Sequence, residues 1–215
     1  MTTYSQSTID NLWDFDLYKP QTSQDSDLLN QLGFIPGLKE LLMLRQVHAL
    51  EHGTVWILSE MVNNLAYYQP KEQKHHDNET LGGMSTERGF YLYGQVSLPS
   101  LKKSVNQALE RFQAGEWNLA VHPRCGTNLS VSMLLTSSLA LGAHVILPRG
   151  PIEQFIGLIL AATTAAQIAP DVGLSVQKYV TTAIPFNLEV TDIFTTKDLW
   201  GRRAYFVEVQ WKDLQ

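Results

Sequence analysis

Two apolar runs separated by a short break constrain the fold of this chain more than any other feature. Residues 129–147 form 19 consecutive positions without Asp, Glu, Lys or Arg, and residues 152–168 are again mostly apolar, with Glu153 and Gln154 near their start. At about 1.5 Å rise per residue, such a run is long enough for a helix that crosses a membrane. The pattern predicts an apolar helical hairpin over 129–168, which either enters a membrane or is buried in a core or a dimer.

Charged residues are scarce in this chain: they account for 17% of it, whereas soluble proteins average about 25%. The net charge is −5, and Lys and Arg do not cluster, which argues against a nucleic-acid partner. The single cysteine excludes an intramolecular disulfide framework, and the N-terminal residues lack the features of a secretory signal. We therefore expect a protein that is not secreted and that associates with a membrane on its cytoplasmic side.

A long periodic segment carries the first motif of chemical interest. Apolar residues recur around more than one face over 37–66, which predicts a largely buried helix. Within it, residues 48–52 read H-x-x-E-H, so that His48 and His52 lie one turn apart on the same face. Zinc enzymes use this spacing for two imidazole ligands, with the glutamate, here Glu51, as the general base. The alternative is a pair of ordinary histidines that share this spacing by chance.

A second block, H-P-R-C-G-T at residues 122–127, supplies further donor groups. His122 and Cys125 are the obvious candidates for additional metal ligands, and Cys125 directly precedes the first apolar run. A thiol at the N-terminus of a helix has a lowered pKa, which favours the thiolate as a ligand or nucleophile. The two blocks together predict a site for zinc, or another divalent transition metal, at His48, His52, His122 and Cys125. The alternative for Cys125 is a small buried residue.

The remaining segments predict a single α+β domain over 31–215, preceded by a flexible arm over 1–30. It would combine the long buried helix, a small β-sheet, the apolar hairpin and a C-terminal β-hairpin. The predicted elements are an exposed loop at 67–80 that includes His75 and His76, a glycine-rich turn at 81–89, a strand at 90–98, a helix from 99 or 100 to 114, a strand at 117–121, a short helix at 171–182, and paired strands at 188–194 and 204–211. The two strands around the 99–114 helix could form a crossover unit.

The two blocks resemble those of an uncharacterised bacterial family of predicted metal-dependent, membrane-associated proteins, and most closely a cyanobacterial branch of it. The matching sequence motifs are H-A-x-E-H at residues 48–52 and H-P-x-C-G-T-N at residues 122–128. The resemblance covers about residues 40–150. It implies a metal site and membrane association, and it implies no particular reaction.

Three functions remain open at the level of sequence. The first is a zinc hydrolase at a membrane surface, peptidase- or amidase-like, in which Glu51 activates water. The second is a non-enzymatic membrane or assembly factor with a structural metal held by four protein ligands. The third is a thiol enzyme with Cys125 as nucleophile and a histidine as its base. A homo-oligomer or a protein partner is compatible with each of them.

Overall fold

The computed structural model describes residues 20–65 and 78–213, which fold into an α+β arrangement, as predicted. The described residues form five α-helices, four strands, a 3-10 turn and a π-turn. In chain order the elements are α1 (Gln24–Leu32), α2 (Leu38–Leu65), β1 (Gly82–Thr86), β2 (Gly89–Tyr93), α3 (Leu98–Gln113), a 3-10 turn (Trp117–Ala120), α4 (Gly126–Ile146), α5 (Pro151–Val176), a π-turn (Gln177–Thr181), β3 (Leu188–Lys197) and β4 (Arg203–Trp211).

The four strands form one antiparallel sheet in the order β1-β2-β4-β3. The predicted C-terminal β-hairpin is confirmed as β3 and β4. The predicted crossover is wrong, because residues 117–120 form the 3-10 turn, in which the Leu119 N–H donates to the Glu116 carbonyl. The glycine-rich segment predicted as a turn instead supplies β1, whose backbone pairs with β2.

The core lies between α2, α3 and the sheet, and it confirms the prediction of a long buried helix. Val47, Leu50 and Leu58 of α2 are almost inaccessible, as is Phe112 of α3. The helix continues through Gly53. Glycine suits this position because the Phe112 ring occupies the space of a side chain: a Cβ there would lie 2.8 Å from the ring. The remaining core residues come mainly from α3 and the strands, among them Leu101, Val105, Phe90, Leu92 and Val207.

The two apolar runs form a helical hairpin, as predicted. Helices α4 and α5 pack together along a stripe of small residues on α5, spaced by four: Gly157, Ala161, Ala165, Ala169 and Gly173. Both helices are long and apolar enough to cross a membrane, and most of their large side chains are exposed. Helix α5 runs on into the π-turn, so the separate helix predicted at 171–182 does not form.

Two predicted segments, the exposed loop and the flexible arm, lie mostly outside the described residues. The exposed loop at 67–80, with His75 and His76, is described only from residue 78. The arm predicted over 1–30 is described only from residue 20, and its described end carries α1. This helix contacts the domain through Asp25, which accepts a hydrogen bond from Gln46 at 2.5 Å.

Candidate metal centre

Two histidines of α2 present their ring nitrogens to the same space. The rings of His48 and His52 lie 4.4 Å apart, as expected for residues one turn apart. His48 Nδ1 lies 3.0 Å from the Thr181 carbonyl oxygen, and His52 Nδ1 lies 2.7 Å from that of Ala120. Because a carbonyl only accepts, each Nδ1 carries the proton when the ring is neutral. Each Nε2 then keeps a lone pair, which is the arrangement of metal-binding histidines.

Cys125 completes a group of three donor atoms. It is the N-cap residue of α4, where its sulfur accepts a hydrogen bond from the Thr127 N–H. The sulfur lies 3.2 Å from His48 Nε2. One donor atom from each of His48, His52 and Cys125 lies within 4.8 Å of the others, so the three residues form a cluster that could bind a metal ion.

Opposing influences act on the Cys125 thiol. Burial raises its pKa, because an apolar environment disfavours the thiolate. The hydrogen bond and charge of His52, followed by the Thr127 amide, act in the other direction, and the net result is a lowered pKa. The Cys125 sulfur also lies 3.2 Å from His48 Nε2, but the lowering of its pKa comes from His52 and Thr127.

Glu51 lies beside this cluster and is buried. Its carboxylate accepts a hydrogen bond from the Ser85 hydroxyl of β1. Gly83, also in β1, makes room for it, because a Cβ at that position would overlap the Glu51 side chain. Burial raises the pKa of Glu51, and the Ser85 hydrogen bond and the charge of His48 oppose that rise without cancelling it.

His122 lies near the cluster but is not one of the three grouped donors. Its ring packs against His52, with centroids 5.6 Å apart, and against Trp56 at 4.6 Å. Its Nδ1 accepts the Arg124 N–H at 3.2 Å, which places the proton of the neutral ring on Nε2. A ligand role through Nε2 of His122 would therefore require the other tautomer, and its assignment as a ligand stays a prediction.

Several groups around the cluster were not identified from sequence. Ser85 and Gly83 fix the position of Glu51, and the only sequence signal for them was the glycine pair at 82–83. Gln177 is fully buried; its side chain accepts the His122 N–H at 2.9 Å and donates to Asn128 at 2.6 Å. It thereby ties the end of α5 to the loop that carries Cys125. Nothing in the local sequence distinguishes Gln177 from an ordinary polar residue of an exposed helix.

The His48–His52–Cys125 cluster and Glu51 line one cavity of about 570 Å³, within the range of about 300–1,000 Å³ found for small-molecule sites. Polar groups converge on part of its wall, namely His48, Glu51, His52, His122 and Cys125. The arrangement combines a nucleophile or metal ligand, three imidazoles and a carboxyl with a raised pKa. Such a set can bind a metal, activate water or act through the thiol.

Comparison with known proteins places the chain among uncharacterised relatives. A family model described as a domain of unknown function, DUF6391, matches residues 43–193, which include both sequence blocks. An uncharacterized protein of the cyanobacterium Picosynechococcus sp. is 51% identical over 203 residues, which cover 94% of this chain and 97% of the relative. No solved structure matches the chain.

Proposed function

The chain belongs to the DUF6391 family, a cyanobacterial-type family of uncharacterised proteins, and we propose that this member is a metal-dependent hydrolase, peptidase- or amidase-like, at a membrane surface. One observation carries the proposal. His48, His52 and Cys125 present three donor atoms to one cavity, and Glu51 lines the same cavity.

The number and type of donors favour a catalytic zinc site. Structural zinc sites are closed by four protein ligands, whereas catalytic sites have three and keep one position for water or substrate. A thiolate with two imidazoles is a donor set that suits zinc. A zinc ion held by His48, His52 and Cys125 would act as a Lewis acid and lower the pKa of a bound water to about 7.

Glu51 is suited to the role of general base. Its raised pKa, caused mainly by burial, brings the carboxyl closer to neutral pH, where a group can both accept and return a proton. The Ser85 hydroxyl holds one carboxylate oxygen, which fixes the orientation of the group. Glu51 would take a proton from water and later deliver it to the leaving amine.

The hairpin supports a location at a membrane. Helices α4 and α5 are long and apolar enough to span a bilayer, with their large side chains facing outward. Cys125 lies at the start of α4, and the Thr181 carbonyl that orients His48 ends the turn after α5. The proposed centre therefore lies at the base of the hairpin.

Metal content and turnover of matched variants test this function. We expect the wild-type protein to bind one zinc per chain and His48→Ala to lose it. Glu51→Gln should keep the metal but lose about 10²–10⁴-fold in turnover of model amides and peptides, the usual contribution of a general base. Glu87→Gln, in an exposed turn, is the control and should behave as wild type. Full activity of Glu51→Gln would exclude Glu51 as the base, and metal binding without any turnover would indicate a structural site.

A thiol enzyme is the second candidate, because Cys125 lies 3.2 Å from His48 Nε2 and has a lowered pKa. In this case Cys125 would attack the substrate, with His48 as its base. Rapid alkylation of Cys125 at neutral pH, together with activity that survives chelation, would support it. Loss of activity on chelation, with recovery on adding zinc, would favour the metal-dependent hydrolase.

A further inference from the structure

We infer that the cavity of the metal centre accepts the acyl chain of a lipid that enters from the bilayer. The inference rests on the proposed function, since this lipid would be the substrate. It follows from three features of the described residues: the connection of the hairpin to the site, the apolar residues at the rim of the cavity, and the buried apolar residues in its wall.

Both ends of the hairpin are fastened to residues of the site. At its start, the backbone of Cys125 begins α4 while its sulfur faces His48. At its end, the Thr181 carbonyl accepts the hydrogen bond of the same His48 ring. A bilayer that surrounds the hairpin would therefore reach its boundary with water close to the cavity.

Exposed apolar side chains line the cavity where α2 and the π-turn approach each other. Leu41, Leu44 and Val180 are 54%, 37% and 60% exposed, respectively, and all three line the cavity. Water is a poor environment for such a group, and the hydrocarbon of a lipid would stabilise it. The cavity thus has an apolar rim at the base of the membrane hairpin.

Further apolar residues are exposed in segments that are close in the chain to residues of the cavity lining. Phe34 and Ile35 are exposed just before α2, and Leu129 is exposed in the first turn of α4. Exposed aromatic and aliphatic residues of this kind anchor proteins in the membrane interface. These residues, together with the apolar rim and the hairpin, favour a lipid over a water-soluble substrate.

The wall of the cavity contains buried apolar residues as well as the reactive polar groups. Val55 and Leu81 are buried apolar residues of the wall, while Glu51 and the His48–His52–Cys125 cluster supply the polar part. An acyl chain would contact the former and place its carbonyl carbon beside the latter. In hydrolysis the water oxygen bonds to that carbon, the acyl C–N or C–O bond breaks, and the leaving group takes the proton held by Glu51.

Photocrosslinking from a labelled lipid tests the inference. The full-length protein, as purified, is placed in vesicles of phosphatidylcholine and phosphatidylglycerol that contain a phosphatidylcholine with a diazirine on one acyl chain. After irradiation, mass spectrometry locates the crosslinks. We expect label on the hairpin and also on the peptides that contain Val55 and Leu81.

The variant Leu41→Asp/Leu44→Asp should lower the label at Val55 and Leu81 by about tenfold, equivalent to 1.4 kcal/mol, while label on the hairpin stays unchanged. Val180→Asp provides a second variant should the first fail to fold, as judged by circular dichroism. Leu199→Asp is the matched control, since Leu199 is exposed in the turn between β3 and β4.

Label on the hairpin without label at Val55 and Leu81 would overturn the inference, as would interior label that the rim variants leave unchanged. A substrate segment from a membrane protein, in place of a lipid, would give the first of these results. Because crosslinking needs no turnover, its outcome is independent of the activity of Glu51→Gln. The failure of the lipid site and the failure of the hydrolase can therefore be told apart.

Discussion

Helix α2 and the α4–α5 hairpin are both long and apolar, yet they differ in what covers their side chains. In α2, Val47 and Leu50 are completely covered by the rest of the domain. In α4 no residue is buried, and the residues that α5 buries are small glycines and alanines facing its partner helix. The same apolar character thus serves a protein core in one region and an uncovered surface in the other.

Some of their polar side chains differ in the same way, although Thr54 and Ser59 of α2 also bond within their own helix. Gln46 and Glu51 of α2 reach across to other elements, where they bond to Asn187 and Ser85. In the hairpin, Thr136 and Thr163 donate to carbonyls four residues earlier in their own helices. Polar groups that close within one helix need no outside partner, which is a requirement in lipid. Of these bonds that reach from α2 to another element, the one between Glu51 and Ser85 belongs to the site.

The largest expected effect comes from placing charge on the exposed hairpin. Leu134 and Leu160 are exposed residues well inside α4 and α5. Replacing both with Arg should abolish the membrane association that we propose, because each Arg at a helix centre costs about 2.5–3.5 kcal/mol on insertion. The measurement is the fraction of protein that stays in membranes after an alkaline carbonate wash. Leu199→Arg is the control, and membrane retention of the double variant would show that protein, not lipid, covers the hairpin.

Truncation of one phenylalanine in each region compares the two surroundings directly. Phe112 is 1% exposed in the core, whereas Phe155 is 64% exposed in α5. Phe112→Ala should lower the free energy of unfolding by about 3–5 kcal/mol through lost burial and a new cavity. Phe155→Ala should change it by less than about 0.5 kcal/mol. Denaturant titration in one detergent measures both, and equal losses would remove the distinction between the regions.

The small-residue stripe provides a sharper test within the hairpin. Ala165 is fully buried between the two helices, and Ala166 beside it is exposed. Ala165→Leu should destabilise the hairpin by about 1–3 kcal/mol, because the added atoms overfill a packed interface. Ala166→Leu should be neutral. Thermal unfolding in detergent would show the difference, and similar midpoints for both variants would contradict the observed packing.

The smallest effect concerns the pH dependence of the buried carboxyl in α2. The pKa of Glu51 is raised by burial, so the folded state holds this proton more tightly than the unfolded state. The stability contributed by Glu51 is present at low pH and is lost as pH rises through the raised pKa. Relative to Glu51→Gln, the wild-type protein should therefore become less stable with increasing pH. Unfolding titrations at pH values below and above the raised pKa test the trend. Glu87→Gln should follow the wild type. A difference in stability between the wild type and Glu51→Gln that does not change with pH would refute it.

Features encoded by local periodicity were predictable. The helix expected over 37–66 is observed at Leu38–Leu65, and the C-terminal β-hairpin also forms. The apolar hairpin was predicted from composition alone, with α5 extending beyond its predicted end at 168. These elements depend on residues close together in the chain, so their signal survives without knowledge of the fold.

Elements whose residues carry a weak or misleading local signal were not predictable. The segment Gly82–Thr86 has little intrinsic strand character, and it becomes β1 because its backbone pairs with β2. Gly83 allows β1 to lie against α2, because its missing side chain leaves room for Glu51. The strand expected at 117–121 failed for the opposite reason, since Trp117–Ala120 closes short-range hydrogen bonds and has no strand beside it among the described residues.

The sequence by itself determined that His48 and His52 share a helix face, because the helical period places residues four apart one above the other. It also determined that 129–168 would be an apolar hairpin. Only the tertiary structure decided that Cys125 joins the two imidazoles, and that carbonyls of Thr181 and Ala120 orient them. Those contacts join segments about 70–130 residues apart, and their geometry follows from packing, which no local pattern encodes.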